Sequence, residues 1–261
     1  MIFLQTLYTE FLKLRRTKIT WIVAALFSIA PLAIAFMVYI IMNPELADNL
    51  GLITAKAELT IGSADWATYL DLMKVITSVG GIVSGFVFAF VFGREYMNGT
   101  AKNMLSLALP RGLFVTAKLI VAAAWYCAIM IVINIEAFIW GAVFGIPGFS
   151  ASLVGPYLSA AAQITIQTLL LCSLIAWVSI LGKGFLAPIG YSIFTFLAFG
   201  QIFVHTGWAE WCPWSIPLVQ AGAGSEGAAA PGIGSWIVLI VVFIAGTFGA
   251  IYTLDKSDNT Q

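Results

Sequence analysis

Charge is scarce in this sequence. Only 9% of its residues are Asp, Glu, Lys or Arg, whereas about 25% is ordinary for a soluble domain. Because 61% of the residues are hydrophobic, the 261 residues predict one polytopic integral membrane domain with little room for a soluble one. A single histidine, His205, leaves little scope for metal or acid–base chemistry.

Several chemical motifs are absent as well. The three cysteines have no zinc-site spacing, and two of them lie inside apolar runs, so no disulfide framework is indicated. The chain has no G-x-x-x-x-G-K-[ST] loop, no Ser–His–Asp constellation and no H-E-x-x-H motif. We therefore expect no catalysis and no cofactor bound by this chain, and nothing in it indicates a nucleic-acid partner.

What the sequence does contain is a series of long apolar runs. A helix needs about 20 mostly apolar residues to cross a bilayer. Six runs qualify, and the first is too long for a cleavable signal peptide, so we predict that it is retained. The predicted spans are Trp21–Met42, Val75–Phe92, Leu119–Ile146, Tyr157–Leu181, Phe185–Val204 and Trp236–Leu254.

The basic residues are distributed unevenly about these spans. Six spans place both termini on one side, and ten of the twelve Lys and Arg residues fall on that side. Basic loops face the cytoplasm, so we predict that both termini are cytoplasmic. Only Lys56 and Lys74 fall on the opposite side, among seven acidic residues.

Residues 1–20 predict an amphipathic interfacial helix. Phe3, Leu7, Phe11 and Leu14 recur at helical spacing, with charged residues elsewhere. The alternative is a solvated basic tail, which would leave all four apolar side chains exposed.

The loop over residues 93–110 predicts a second, cytoplasmic helix that ends at Pro110. Apolar residues from Met97 to Ala108 recur at helical spacing, and basic residues flank them. This pattern favours a helix to which a soluble partner binds. The alternative is a basic patch that merely follows the charge rule for cytoplasmic loops.

Residues 205–233 predict an irregular segment on the outer face. Trp208, Trp211 and Trp214 cluster there, and indole rings favour the membrane–water boundary. Pro213 and Pro217 prevent a span, so we expect a re-entrant or interfacial pair of short helices.

Polar residues inside the predicted spans are the remaining candidates for a site. A charge at the bilayer centre costs roughly 2.5–3.5 kcal/mol, so it is a functional candidate by default. The alternative for these residues is hydrogen bonding between helices, and two G-x-x-x-G motifs, at Gly81 and at Gly141, likewise indicate close helix packing. The polar candidates are Asn134, Glu136, Gln163 and Gln167.

Three short motifs give the chain a resemblance to a known family. They are Glu10–Lys18, the block Glu95 to Lys118 with its E-x-x-x-G-T and P-R-x-x-F-x-x-x-K patterns, and Pro213–Pro217. Together they resemble the permease subunits of exporter-class ABC transporters. Within that class the chain is most similar to bacterial permeases of antimicrobial-peptide immunity and bacitracin resistance.

The resemblance implies a partner and a mechanism. The first cytoplasmic loop would be a coupling helix that docks on a separate ATPase, with ATP and magnesium on two ATPase copies. A second permease chain, identical or homologous, would pair with this one in a bacterial cytoplasmic membrane, and the cargo would be a peptide antibiotic, a drug or a lipid. The coupling residues would be Arg94, Glu95, Gly99, Thr100, Lys102 and Arg111.

The first, second and fifth spans would line the seam between the two permease chains. Their aromatic residues suit a lipid-like or peptide cargo, and include Phe86, Phe88, Tyr191, Phe194 and Phe196. Two other classes stay open at this point. One is an ion-coupled transporter or channel that uses Glu136, and the other is a membrane scaffold or sensor that moves nothing.

Overall fold

The residues that the structure describes are mostly helical. A computed structural model describes residues 2–43, 45–46, 64–100, 110–224 and 230–257, and these residues contain no strand. The helices are α1 (Ile2–Arg15), α2 (Lys18–Phe27), α3 (Ile29–Met42), α4 (Trp66–Val79), α5 (Gly81–Met97), α6 (Arg111–Val143), α7 (Ala151–Leu181), α8 (Leu186–Ile193), a π-helix (Phe194–Phe199), α9 (Gly200–Val204), α10 (Ile216–Gln220) and α11 (Ile233–Ser257).

Six helical runs among the described residues are long and apolar enough to cross a membrane, which confirms the prediction of an all-α, six-span protein. Several spans extend beyond their predicted ends, because their helices continue into less apolar sequence. The runs are Trp21–Met42, Trp66–Met97, Arg111–Val143, Ala151–Leu181, Leu186–Val204 and Ile233–Lys256.

The first two spans are each interrupted for a local reason. The first breaks at Ser28, between α2 and α3, where Pro31 lacks the N–H that would bond to Phe27. The second breaks at Gly80, between α4 and α5. A Cβ there would lie 2.9 Å from the terminal methyl of Met130, so glycine lets the third span approach closely.

The second span is the central helix of the chain. In its most apolar stretch 72% of the residues are buried, against 22% in the first and sixth spans. A Cβ added at Gly81 or Gly85 would collide with Phe196 or Ser192 of the fifth span. This first G-x-x-x-G motif therefore packs helices within one chain. In the second motif, Gly145 has φ +64° and follows the end of α6.

This burial corrects the predicted seam between two chains. Phe88 and Phe196 are 1% and 4% exposed, so both face the interior of their own chain. The prediction that these two side chains line the seam is wrong. The second span, which carries Phe88, packs against the first, third, fourth and fifth spans, and Phe196 of the fifth span packs against Gly81. Phe194, in contrast, is 61% exposed on the fifth span.

Helix α1 lies against the start of the third span. It buries Leu14 but leaves Phe11 exposed. The sequence pattern placed Glu10 off the apolar face, yet its side chain is only 2% exposed. The inward face of α1 therefore includes a carboxylate, which requires partners.

The segment that follows the fifth span contains turns and one short helix among its described residues, α10, rather than a pair. Ile216 and Leu218 of α10 are buried, so this helix packs into the protein. Residues 225–229 lie outside the described residues.

Candidate functional site

Five charged side chains converge where the second and third spans meet their connecting loop. We call them the ion-pair cluster. Its members come from three helices that are far apart in sequence. They are Glu10 and Lys13 of α1, Arg94 and Glu95 of α5, and Lys118 of α6.

Lys118 is the most deeply buried member, at 1% exposure. Its ammonium lies 2.8 Å from a carboxylate oxygen of Glu95 and 3.4 Å from one of Glu10. It also donates a 2.6 Å hydrogen bond to the carbonyl of Val91. Three acceptors match the three donors of a lysine ammonium, so this cation is satisfied by the protein alone.

Glu10 ties α1 to the two spans. Its carboxylate accepts a 2.6 Å hydrogen bond from Lys13 and a 3.1 Å hydrogen bond from Arg94. Burial alone would raise the pKa of Glu10, but the positive charges of Lys118, Lys13 and Arg94 outweigh that effect and hold its pKa below the ordinary value. Glu10 is therefore ionised at neutral pH.

The cluster holds three cations and two anions, so its net charge is +1. Aromatic rings add to the stabilisation of the cations, since Arg94 lies 5.9 Å from the centre of the Phe90 ring and Lys118 lies 4.9 Å from that of Phe114. Removing one partner from such a buried set leaves an uncompensated charge, which typically costs roughly 3–5 kcal/mol.

The predicted E-x-x-x-G-T motif ends the α5 helix. Gly99 has φ +67°, and its N–H bonds to the carbonyl of Tyr96 at 3.3 Å. The N–H of Thr100 bonds to the carbonyl of Glu95 at 3.0 Å. This is the Schellman arrangement, in which a glycine at positive φ closes the last turn. The motif thus sets where the second span stops and the loop begins.

These observations correct the predicted bounds of the coupling helix. Arg94 and Glu95 belong to the second span, which continues to Met97 and then ends at Asn98. Arg111 is the first residue of α6, after Pro110. Lys102 and the rest of 101–109 lie outside the described residues, so a coupling helix there stays a prediction.

The structure thus brings Arg94 and Glu95 together and adds three partners that sequence reasoning left out of the site. Glu10, Lys13 and Lys118 occur within the motifs that carried the family resemblance, so a signal was present. Their convergence was not readable, because Glu10 and Arg94 are 84 residues apart.

Two of the polar residues inside the spans connect helices. Asn134 donates to the carbonyl of Met130 at 2.7 Å and accepts a 2.6 Å hydrogen bond from the Tyr157 hydroxyl. This joins the third span to the fourth. Gln167 is fully buried, and its amide nitrogen lies 3.4 Å from the side-chain oxygen of Gln220, which connects the fourth span to α10.

The other two are less connected. Gln163 donates to Ser159 at 3.3 Å, one turn earlier on its own helix. Glu136 is partly buried, and one of its carboxylate oxygens is buried without a hydrogen-bond partner among the described residues. Within the same residues, no group of His, Cys, Asp and Glu side chains is arranged to hold a metal ion.

A comparison with protein families identifies the architecture. The family model described as "ABC-2 family transporter protein" matches residues 6–200, which include most of α1, the ion-pair cluster and most of the fifth span. The chain belongs to the ABC-2 transporter family. No curated protein matches the sequence significantly.

Membership of the ABC-2 family makes this chain a multi-pass permease, the membrane component of an ABC-type transporter. The ion-pair cluster of the ABC-2 permease contains residues from both ends of the loop between the second and third spans, which is the first predicted cytoplasmic loop. The matched region ends at residue 200, so the turns and the short helix α10 that follow lie outside it.

Proposed function

We propose that this permease is the membrane-spanning subunit of an ATP-driven exporter, and that a separate ATPase subunit binds the loop between its second and third spans. The observation that supports this most directly is the ion-pair cluster. Lys118 at one end of the loop is paired with Glu95 at the other end, 2.8 Å away. Both ends are further paired with Glu10 of α1.

Such a connection allows a push on the loop to move the spans as rigid bodies. The second span is central, so its displacement is passed to the helices packed on it. Gly93 already contacts the hairpin between the fourth and fifth spans, since a Cβ there would lie 2.7 Å from the carbonyl of Gly184. ATP-driven closure of two ATPases would shift these packed domains between two arrangements.

The distribution of charge supports the orientation. Ten of the twelve basic residues are predicted on the side of the loop, so the loop and both termini face the cytoplasm in this proposal. ATP and magnesium belong to two ATPase copies. A second permease chain, identical or homologous, completes the transporter in a bacterial cytoplasmic membrane.

The cargo in this proposal is amphipathic or hydrophobic: a peptide antibiotic, a drug or a lipid. The exposed faces of the first and fifth spans support it, because they are apolar, with Phe36 and Phe194 among their exposed side chains. A small hydrated ion would require a more polar path than these faces offer. The resemblance to antimicrobial-peptide immunity permeases points to the same cargo class.

The experiment is a tagged purification in mild detergent of a variant in which residues 101–109 are replaced by a Gly/Ser linker of equal length. The replacement leaves Arg94, Glu95 and Lys118 unchanged, so the spans should still fold. We expect the co-purifying ATPase to be lost. The matched control replaces residues 51–59, predicted on the opposite face, and should retain the ATPase.

Two results would overturn the proposal. One is an ATPase that co-purifies equally with both variants. The other is transport in liposomes by the purified chain alone, without ATP. Stimulation of the bound ATPase by a candidate cargo separates an exporter from a scaffold that moves nothing.

An ion-coupled transporter is the second candidate, and one observation favours it. Glu136 has a buried carboxylate oxygen without a hydrogen-bond partner among the described residues. Ionisable groups inside a membrane often mark ion or proton paths.

A further inference from the structure

Aromatic side chains form a small cup at the end of the fifth span that lies opposite the ion-pair cluster. The cup has a volume of about 260 Å³. The rings that line it, together with Cys212 and Pro213, are those of Phe199, Phe203, Trp208, Trp211 and Trp214.

The fold constructs this cup from two segments. The π-helix ends at Phe199, whose ring centre lies 4.7 Å from that of Phe203 and 5.4 Å from that of Trp214. π-Helical turns occur often at functional sites. Gly200 allows the second segment to approach, since a Cβ there would lie 2.9 Å from the carbonyl of Trp214.

A tight turn supplies the other wall. The N–H groups of Trp211 and Cys212 both bond to the carbonyl of Trp208 at 3.0 Å. The turn holds Trp208 and Trp211 at 69% and 58% exposure. A membrane interface explains exposed indoles in general, but it does not explain why five rings surround one concavity.

Residues 199–214, which include every residue that lines the cup, contain one carboxylate, that of Glu210, and no lysine or arginine. Between Lys183 and Lys256 the sequence has no lysine or arginine, while Glu210 lies in the turn between Trp208 and Trp211. Among the described residues, no basic side chain forms a salt bridge with Glu210. Aromatic faces and an unpaired carboxylate both attract cations.

We propose that this cup binds the ammonium group of a cationic amphiphile, with the indole faces against the cation. Glu210, which does not itself line the cup but adjoins the lining residue Trp211 in sequence, supplies the opposite charge. The alkyl part would lie along the exposed apolar surface of the fifth span, where Ile202 is 65% exposed. That the ligand is cargo rests on the proposed function, whereas its binding to the cup does not require an ATPase.

The test is a titration of the purified chain in neutral maltoside micelles with dodecyltrimethylammonium, followed by tryptophan fluorescence. Empty micelles give the blank. We expect saturable binding that weakens about fivefold or more in Trp211→Leu and in Glu210→Gln. Trp21→Leu is the matched control, because Trp21 is also exposed, at 59%, but lies at the opposite end of the spans. This variant should bind as the wild type does.

Glu210→Gln keeps the size of the side chain, so it serves as the decisive variant if Trp211→Leu fails to fold. Equal affinity in Glu210→Gln and wild type, or equal binding of a neutral dodecyl compound, would overturn the proposal. Tighter binding of dodecylphosphocholine would assign the cup to a lipid headgroup and overturn it too. No ATPase is present, so a failure here leaves the permease proposal standing.

Discussion

The ammonium of Lys118, in the third span, lies 2.8 Å from the carboxylate of Glu95, in the last turns of the second. The two residues face each other at the ends of the loop on which the proposed ATPase acts. Both are buried, so the contact is shielded from solvent and from salt. In the proposed function, this contact lets a displacement of the loop move both spans together.

Glu10→Gln should destabilise the protein strongly. The change raises the net charge of the ion-pair cluster from +1 to +2 in a buried setting. We expect a loss of about 3 kcal/mol or more, measured as a lower Tm of the purified chain in detergent. Asp71→Asn is the matched control. Asp71 is 69% exposed and pairs only with Lys74 among the residues described, so its loss should cost less than about 1 kcal/mol.

A double variant separates charge balance from simple loss of packing. Glu10→Gln combined with Lys118→Met restores the net charge to +1, and it should recover part of the Tm lost by Glu10→Gln alone. A double variant whose loss equals or exceeds the sum of the single losses would show that the cluster does not act as one electrostatic unit.

The stabilisation by Glu10 should disappear in acid. Its folded pKa lies below the ordinary value of 4.5, so its contribution is fully present above about pH 4.5 and is lost as pH falls through the lowered pKa. The difference in Tm between wild type and Glu10→Gln should therefore be constant from pH 7 to about pH 5 and shrink below that. A difference that persists unchanged to about pH 3, or shrinks as pH rises, would contradict this assignment.

The spans were predictable because bilayer thickness sets the length of an apolar run. Their ends were not. The charges of Arg94 and Glu95 predict that both residues lie in the loop, yet the helix continues through them because buried partners neutralise both. The pattern of apolar residues in α1 also predicts that Glu10 lies outside the buried face, whereas its side chain is buried. Periodicity shows which residues share a helix face, but it does not show which distant charges that face will contact.

Two glycine motifs are visible in the sequence, but their structural roles are not fully readable from it. The E-x-x-x-G-T pattern lies within the predicted coupling helix, residues 93–110. In the structure Gly99 at positive φ ends the span instead. Similarly, the first G-x-x-x-G motif correctly predicted close packing, but only the structure shows that the fifth span is the partner.

Gly81→Ala should disrupt the contact between the second and fifth spans. An added Cβ would collide with the ring of Phe196, which is itself buried. We expect a loss of about 1–3 kcal/mol in unfolding free energy, read as a lower Tm. Gly190→Ala, in the fifth span, is the control, because a Cβ there meets no atom within 4 Å. Equal Tm values for the two variants would show that Phe196 moves aside without cost.

Glu136→Gln tests which of two transport mechanisms operates. The variant keeps the size of the side chain and removes its ability to hold a proton or a cation. In an ATP-driven exporter the buried, unpartnered oxygen is not part of the energy coupling, so ATP-dependent transport in proteoliposomes should stay within about twofold of wild type. Glu95→Gln should abolish it, since that change breaks the pair with Lys118.

Loss of transport in Glu136→Gln would instead indicate an ion-coupled transporter. If Glu136→Gln stops transport while the ATPase still binds and still responds to cargo, the carboxylate is part of the path. Collapse of the proton gradient with an uncoupler should then stop the wild type as well. An exporter driven by ATP would continue under the same uncoupler, because its energy enters through the loop that Lys118 and Glu95 join.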